Sequence, residues 1–309
     1  MAENTNTNSP QKNLRFLDVD EEPRKALLPI EGYQDMPLMS LEEAIKPLEI
    51  LIPKLSAKVW VAKENCQNPT DGLNCEESSA IQLYTFEWYP MTRSFYYILN
   101  RTLRSEDRQQ LIPWFAYLKL FLSALFKLPS VRGTIWRGVK TDLSTKYPKG
   151  IRCTWWGVSS CTDSIEILQS EQYLGKTGAR TLFSIECTQG KVIKDHSYFK
   201  TENEIILLPG TYLEVISQLE LADDLHIIQL KQIEPPFELL QPPSLMANVQ
   251  ITTEIPHDLI NEIYPDNTIE ENISQNVQTP LPQLQLVQEQ LSGKDKNSLI
   301  LGAFYNYKS

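Results

Sequence analysis

Three short stretches place reactive residue types where the surrounding pattern calls for core. Trp136-Arg137-Gly138-Val139 sets a guanidinium beside a glycine in an otherwise apolar strand segment. An inward guanidinium is a rigid fork of donors suited to phosphate or ribose oxygens, and glycine lets backbone amides come close to a ligand. Val158-Ser159-Ser160-Cys161-Thr162 is a small-polar cluster following a Trp-Trp pair. Glu202-Asn203-Glu204 stands directly before the apolar run Ile205–Leu208 and the Pro209-Gly210 turn. In extended chain residues 202 and 204 project the same way, so two acids are held at the mouth of a buried strand. Each stretch has an ordinary reading: a strand arginine paired with a carboxylate, serines closing a turn, a solvated turn rim. Their succession, each on its own strand, points instead to a site, because charges set against a core need partners.

The elements that must hold these residues change character at Pro129. Before it the chain reads as helices. Ser40-Leu-Glu-Glu43 is a capping-box pattern that opens the amphipathic run Leu41–Leu55, which Pro47 and Pro53 kink or split. Glu76–Glu87 and Thr92–Leu103 follow as helices separated by Pro90, and Pro113–Leu128 is the most apolar helix, its Trp114, Tyr117, Leu118, Phe121, Leu122, Leu125 and Phe126 spaced for core packing. After Pro129, strands are expected at Gly133–Val139, Cys153–Ser160, Arg180–Cys187, Glu204–Leu208, Thr211–Ser217 and Leu225–Ile233, with a short piece at Lys191–Ile193. Asp163 with Glu166 is expected to cap a short helix, Ser164–Gln172. Helices first and strands afterwards give an α+β fold with a mainly antiparallel sheet system. The expected organisation is a disordered N-terminus over 1–20, a domain over 21–240 (helical lobe 21–130, β core 131–240), and a Pro-, Gln- and Asn-rich flexible tail over 241–309. Within that tail a short helix around Pro256–Ile263 and an apolar end at Leu299–Tyr307 stand out.

A formal net charge of −10 argues against non-specific binding to nucleic acid or anionic membrane, both of which favour basic patches. No run of about 18 apolar residues is present to span a bilayer. Five cysteines without a C-x-x-C pair, after a polar N-terminus that lacks a signal-like apolar segment, are expected to be reduced thiols of a cytoplasmic protein. Three histidines make a zinc site improbable, and no metal is expected. His196 and His226 are expected to be structural.

Taken together, Trp136-Arg137-Gly138, Val158-Ser159-Ser160-Cys161-Thr162 and Glu202-Asn203-Glu204-Ile-Ile-Leu-Leu-Pro209 resemble, in order, the motifs of the arginine-directed mono-ADP-ribosyltransferases of the R-S-E class. Ser160 takes the signature serine's place, while Cys161 and Thr162 stand for the Thr-Ser that follows it. The resemblance runs from about residue 75 to 235 and includes Leu83-Tyr84-Thr85 and Leu99-Asn100-Arg101. It implies two packed sheets forming a cleft for NAD, which serves as co-substrate, with NADP left open.

What the resemblance further implies is a set of roles. Glu204 stabilises the ribosyl cation and holds the ribose 2′-hydroxyl; Ser160 fixes Glu204, and Thr162 supports the same network. Glu202 orients the acceptor guanidinium. Arg137 binds the NAD phosphates or nearby ribose, Gly138 meets the nicotinamide amide through its backbone, and Tyr173 stacks on nicotinamide or, equally, packs on the core. Gly175 and Gly178 let the loop around them move, and Tyr84 and Asn100 approach the adenosine side. The implied partner is a protein with an exposed arginine. Two alternatives stay open: an NAD glycohydrolase using the same site, and a non-catalytic NAD-binding interaction protein.

Overall fold

In a computed structural model that describes residues 22–243, apart from positions 24, 87, 171–172, 201–202 and 222–223, five α-helices precede seven strands. The helices are α1 (Leu41–Ile45), α2 (Leu55–Asn65), α3 (Cys75–Thr85), α4 (Phe95–Leu103) and α5 (Phe115–Lys127). The expectations for the N-terminal 20 residues and for the tail beyond Pro243 lie outside the described residues. Among the described residues no helix is long and apolar enough to cross a membrane.

Local chemistry accounts for where the helices begin and end. Ser40 Oγ accepts the Glu43 N–H at 3.3 Å, and the Ser40 hydroxyl in turn lies 3.1 Å from the Glu43 carboxylate. Pro47 ends α1 in a 3₁₀ turn at Lys46–Leu48. Asn74 and Glu77 form a full capping box at the start of α3. The aromatic stripe of α5 is core: Tyr117 and Phe121 are wholly buried, with ring centroids 5.5 Å apart and planes at 14°. Phe95 closes edge-on against Tyr117 at 4.6 Å and against Trp114 at 5.2 Å.

The strands are β1 (Ser130–Val139), β2 (Arg152–Trp155), β3 (Ser159–Thr162), β4 (Arg180–Val192), β5 (Glu204–Leu207), β6 (Thr211–Leu221) and β7 (Leu225–Gln232). They pair in the order β1-β3-β5-β4-β7-β6-β2, all antiparallel except β4 with β7. The expected two separate sheets are here one hydrogen-bonded network. The reason is the length of β4, which pairs with β7 over Arg180–Glu186 and with β5 at Lys191–Val192. β1 pairs along β4 and also meets β3 at Trp136↔Thr162, so β1, β3, β5 and β4 close on themselves.

Alternation sorts the core. Phe183, Ile185 and Cys187 of β4 are buried with Ile135, Val139, Cys161, Ile205 and Leu207, whereas Ile206, Val158 and Ile193 join the helical core. Two expectations are corrected. The single strand at 153–160 is two, broken at Trp156-Gly157-Val158, and the halves pair with different partners, β2 with β6 and β3 with β1 and β5. The helix expected over Ser164–Gln172 is a 3₁₀ turn, Ile165–Gln169, with Ser164 rather than Asp163 at its cap position. The chain also forms a helix that pattern reading passes over, α2, of which only Leu55, Val59 and Ala62 are buried while Trp60 is 65% exposed.

The first and last described segments meet. Ile30 donates its N–H to the Leu239 carbonyl at 2.8 Å and accepts that of Gln241 at 3.0 Å.

Candidate active site

Three neighbouring strands carry the singled-out residues. The β3–β5 register sets Thr162 opposite Glu204 and Ser160 opposite Ile206. Ser160 and Glu204 are thus diagonal neighbours on one face, within reach of each other. The Ser160 hydroxyl donates to Glu204 Oε1 at 2.6 Å, and both residues are only 2% exposed. Arg137, wholly buried, shares its strand face with Ile135 and Val139; its Nη1 donates to the Ser160 backbone carbonyl at 2.6 Å. Arg137, Ser160 and Glu204, spread over 68 positions of sequence, are therefore linked in one chain of hydrogen bonds.

A second hydroxyl reaches the same carboxylate from a turn after β4 that pattern reading did not single out. The turn is fixed by Ile193 N–H to the Glu204 carbonyl at 3.0 Å and Ser197 N–H to the Ile193 carbonyl at 2.8 Å. Ser197 Oγ donates to Glu204 Oε2 at 3.0 Å while accepting the Phe199 N–H at 3.1 Å. Beside it His196, 1% exposed, lies between Ser78 Oγ of α3, 2.9 Å from Nδ1, and Asp71 Oδ2, 3.2 Å from Nε2. Thr85 Oγ1, at the end of α3, accepts the Tyr198 N–H at 2.8 Å. In the sequence Ser197 is a lone serine seven positions before Glu204, and nothing about its type marks it.

The link between β2 and β3 is gripped by the helical lobe. Asn100 Oδ1 accepts the Val158 N–H at 2.9 Å, and its Nδ2 donates to the Val158 carbonyl at 3.0 Å. Tyr84 donates to that carbonyl at 3.1 Å. Tyr84 and Asn100, both 1% exposed, hold this backbone because the break in the strand leaves peptide groups to satisfy. Glu22 accepts the Trp156 N–H at 2.7 Å and the Arg104 Nε–H at 2.6 Å, in a pair whose side chains are 7% and 4% exposed. A Cβ on Gly157 would fall 2.4 Å from Arg104 Nη2, so any other residue there would have to displace that guanidinium.

The remaining candidates are placed as follows. Thr162, opposite Glu204, accepts the Ser164 N–H on its Oγ1 at 3.1 Å. The space over Gly138 is taken by Leu174, whose Cβ lies 2.9 Å from where a Gly138 Cβ would be. Tyr173, 7% exposed, belongs to the small cluster of Leu168, Leu174 and Leu182 against which Trp136 packs. Gly175 and Gly178 have φ of 71° and 82°, the left-handed region that glycine adopts without strain. Glu202 lies outside the described residues. His226 lies with Nε2 3.5 Å from Asp142.

The sequence family described as NAD:arginine ADP-ribosyltransferase matches residues 46–235, well over half of the chain. The chain belongs to that family. This transferase therefore takes NAD as substrate and transfers its ADP-ribose. No curated protein sequence matches it. Among solved structures it is similar to the eukaryotic mono-ADP-ribosyltransferase ART2.2, at 19% identity and TM-score 0.48, covering 69% of this chain and 98% of that one. It is similar to the Vis toxin, an ADP-ribosyltransferase from Vibrio splendidus, at 19% identity and TM-score 0.43, covering 67% and 92%. A third is the ADP-ribosyltransferase HopU1 of Pseudomonas syringae pv. tomato DC3000, at 20% identity and TM-score 0.43, covering 64% and 89%.

Proposed function

We propose that this transferase moves single ADP-ribose units from NAD to arginine side chains of a protein acceptor, releasing nicotinamide. The observation that carries the reading is the buried Glu204 carboxylate, held by the Ser160 hydroxyl at 2.6 Å, in a chain of the NAD:arginine family. Breaking the nicotinamide–ribose bond builds positive charge on the ribose, as in other glycosyl transfers. A fixed carboxylate at that ring favours the transition state over the ground state and so lowers the barrier. Glu204 has that role and also holds the ribose 2′-hydroxyl; Ser160 orients it, and Thr162 supports the same strand pair. Arg137 takes the phosphates or the adjoining ribose while fixing the Ser160 peptide. Gly138 offers its backbone to the nicotinamide amide, and Tyr173 its ring to the nicotinamide face. Glu202, two residues before Glu204, accepts hydrogen bonds from the incoming guanidinium and aims it at the anomeric carbon, a pairing geometry that suits arginine.

Incubation with labelled NAD and an arginine-rich protein, or with agmatine, tests this. Wild type is expected to label the acceptor. Glu204→Gln should lower turnover by about 10²–10³-fold, the usual cost of removing a preorganised electrostatic group. Glu202→Gln should lose transfer to arginine while retaining nicotinamide release. Equal labelling by Glu204→Gln would remove the mechanistic assignment, and nicotinamide release that agmatine leaves without an ADP-ribosylated product would make water the acceptor.

A further inference from the structure

We infer that Ser197 is a positioning residue for Glu204, so that the carboxylate is held by two hydroxyls, one per oxygen, delivered from separate elements. This rests on the assignment of Glu204 above. The geometry sets the direction of the bond. A hydroxyl has one proton, and Ser197 Oγ already accepts the Phe199 N–H at 3.1 Å, which leaves its proton for Glu204 Oε2 at 3.0 Å. Ser160 supplies the matching donor on Oε1 at 2.6 Å. With one oxygen bonded, a carboxyl group still swings about its last torsion, a broad and shallow one. With both bonded, the plane of the group is fixed. A glutamate that must lie against a ribose ring as charge develops gains most from such fixing, because it need not reorganise during the step.

The arrangement also explains two features that the strands alone leave unaccounted for. The turn carrying Ser197 is tied to the backbone of Glu204 itself, through Ile193 N–H to the Glu204 carbonyl at 3.0 Å, so hydroxyl and carboxylate share one frame. The neighbouring His196 is buried between Ser78 and Asp71, and Tyr198 is hydrogen-bonded to Thr85. Residues on both sides of Ser197 are thus anchored to the helical lobe, which holds its hydroxyl toward the sheet. Ser197 touches no reacting atom in this scheme; it acts through Glu204.

The test compares wild type, Ser197→Ala, Ser197→Thr and Glu204→Gln in the full chain by steady-state nicotinamide release and by calorimetric NAD binding. Loss of a hydrogen bond to a charged group predicts a fall in kcat of about 10- to 100-fold for Ser197→Ala, with NAD affinity within about twofold of wild type; the melting temperature should fall as well, because the Phe199 N–H loses its acceptor. Ser197→Thr, which keeps the hydroxyl, should recover most of the rate. A Ser197→Ala enzyme with wild-type kcat overturns the inference, as does a loss of rate that tracks a lost NAD affinity. A crystal structure of Ser197→Ala reads the same point without turnover: Glu204 should leave its single orientation, and an unmoved carboxylate overturns the inference. Wild type that releases no nicotinamide would instead strike the functional assignment, with the crystal structure still deciding the role of Ser197.

Discussion

The side-chain amide of Asn100 pairs with the peptide of Val158 as a neighbouring strand would, accepting at 2.9 Å and donating at 3.0 Å. A helix side chain thereby substitutes for a strand at the one place where β2 and β3 part. Asn100→Leu should destabilise the fold by about 1–3 kcal/mol, the cost of leaving a buried peptide N–H unsatisfied. Asn100→Asp keeps the acceptor but sets a charge against the Val158 carbonyl, and should cost at least as much. Urea unfolding of both variants measures it.

The Glu22–Arg104 pair fixes the same link from the other side, and both partners are almost fully buried. Arg104→Met leaves a carboxylate buried without its cation and is expected to cost about 3–5 kcal/mol. The double variant with Glu22→Gln removes the stranded charge as well and should recover part of that loss. Unfolding free energies of the two singles and the double give the coupling directly.

Gly138 is packed against a side chain, and this sets a steric prediction. An alanine there would place its Cβ 2.9 Å from Leu174 Cβ, an atom fixed to the backbone. Gly138→Ala is expected to cost about 1–3 kcal/mol through overpacking. In a Leu174→Gly background, where the obstructing atom is gone, the further cost of Gly138→Ala should be smaller; unfolding free energies of the two singles and the double show whether it is.

A fourth expectation concerns pH. Lys63 lies between Glu42 at 2.8 Å and Glu76 at 2.6 Å. Burial alone would lower its pKa, but the two carboxylate hydrogen bonds outweigh it and raise the group to about 12. Burial likewise raises Glu42, but the Lys63 hydrogen bond, a backbone hydrogen bond at Glu42 and the Lys63 charge together outweigh it, so that this carboxyl falls below its usual 4.5. The Glu42 contribution is present above pH 4.5 and is lost as pH falls; the Lys63 contribution is present below 10.5 and is lost as pH rises through about 12. The stability gap between wild type and Lys63→Met should therefore be widest between those limits and narrow at both ends. Its size should be about 1 kcal/mol or less per pair, since the side chains remain partly solvated. Urea midpoints across pH measure it.

How much of this could be read from the chain alone differs from residue to residue. Arg137, Ser160 and Glu204 were legible as a group because each interrupts a strand pattern with a residue the pattern does not want, and adjacent strands then bring them together. The aromatic stripe of α5 was legible because its spacing matches a helical period, and it is buried as expected. Ser197 was not legible: serine is ordinary in a turn, and its importance lies in a carboxylate that only the folded chain brings within 3.0 Å. The break at Gly157 was passed over among strand formers although the glycine itself is a break signal; the residues that hold it, Arg104 and Asn100, lie more than 50 positions upstream. The helix α2 buries too little of its surface to leave a periodic signal.

The closed circuit of β1, β3, β5 and β4 carries a further consequence for how this chain can vary. A hoop has no end at which an extra residue can be absorbed. One alanine inserted into β3 between Cys161 and Thr162 would have to bulge out, as the β1–β4 pairing does between Val131 and Gly133, or displace its pairing with β1 or with β5, and shifting a strand by one position turns its side chains to the opposite face. β2, at the end of the strand order and paired only with β6 among the described strands, has no such constraint. Length changes compatible with a working site should therefore collect in the open half of the sheet, leaving the hoop around Ser160 and Glu204 invariant in count.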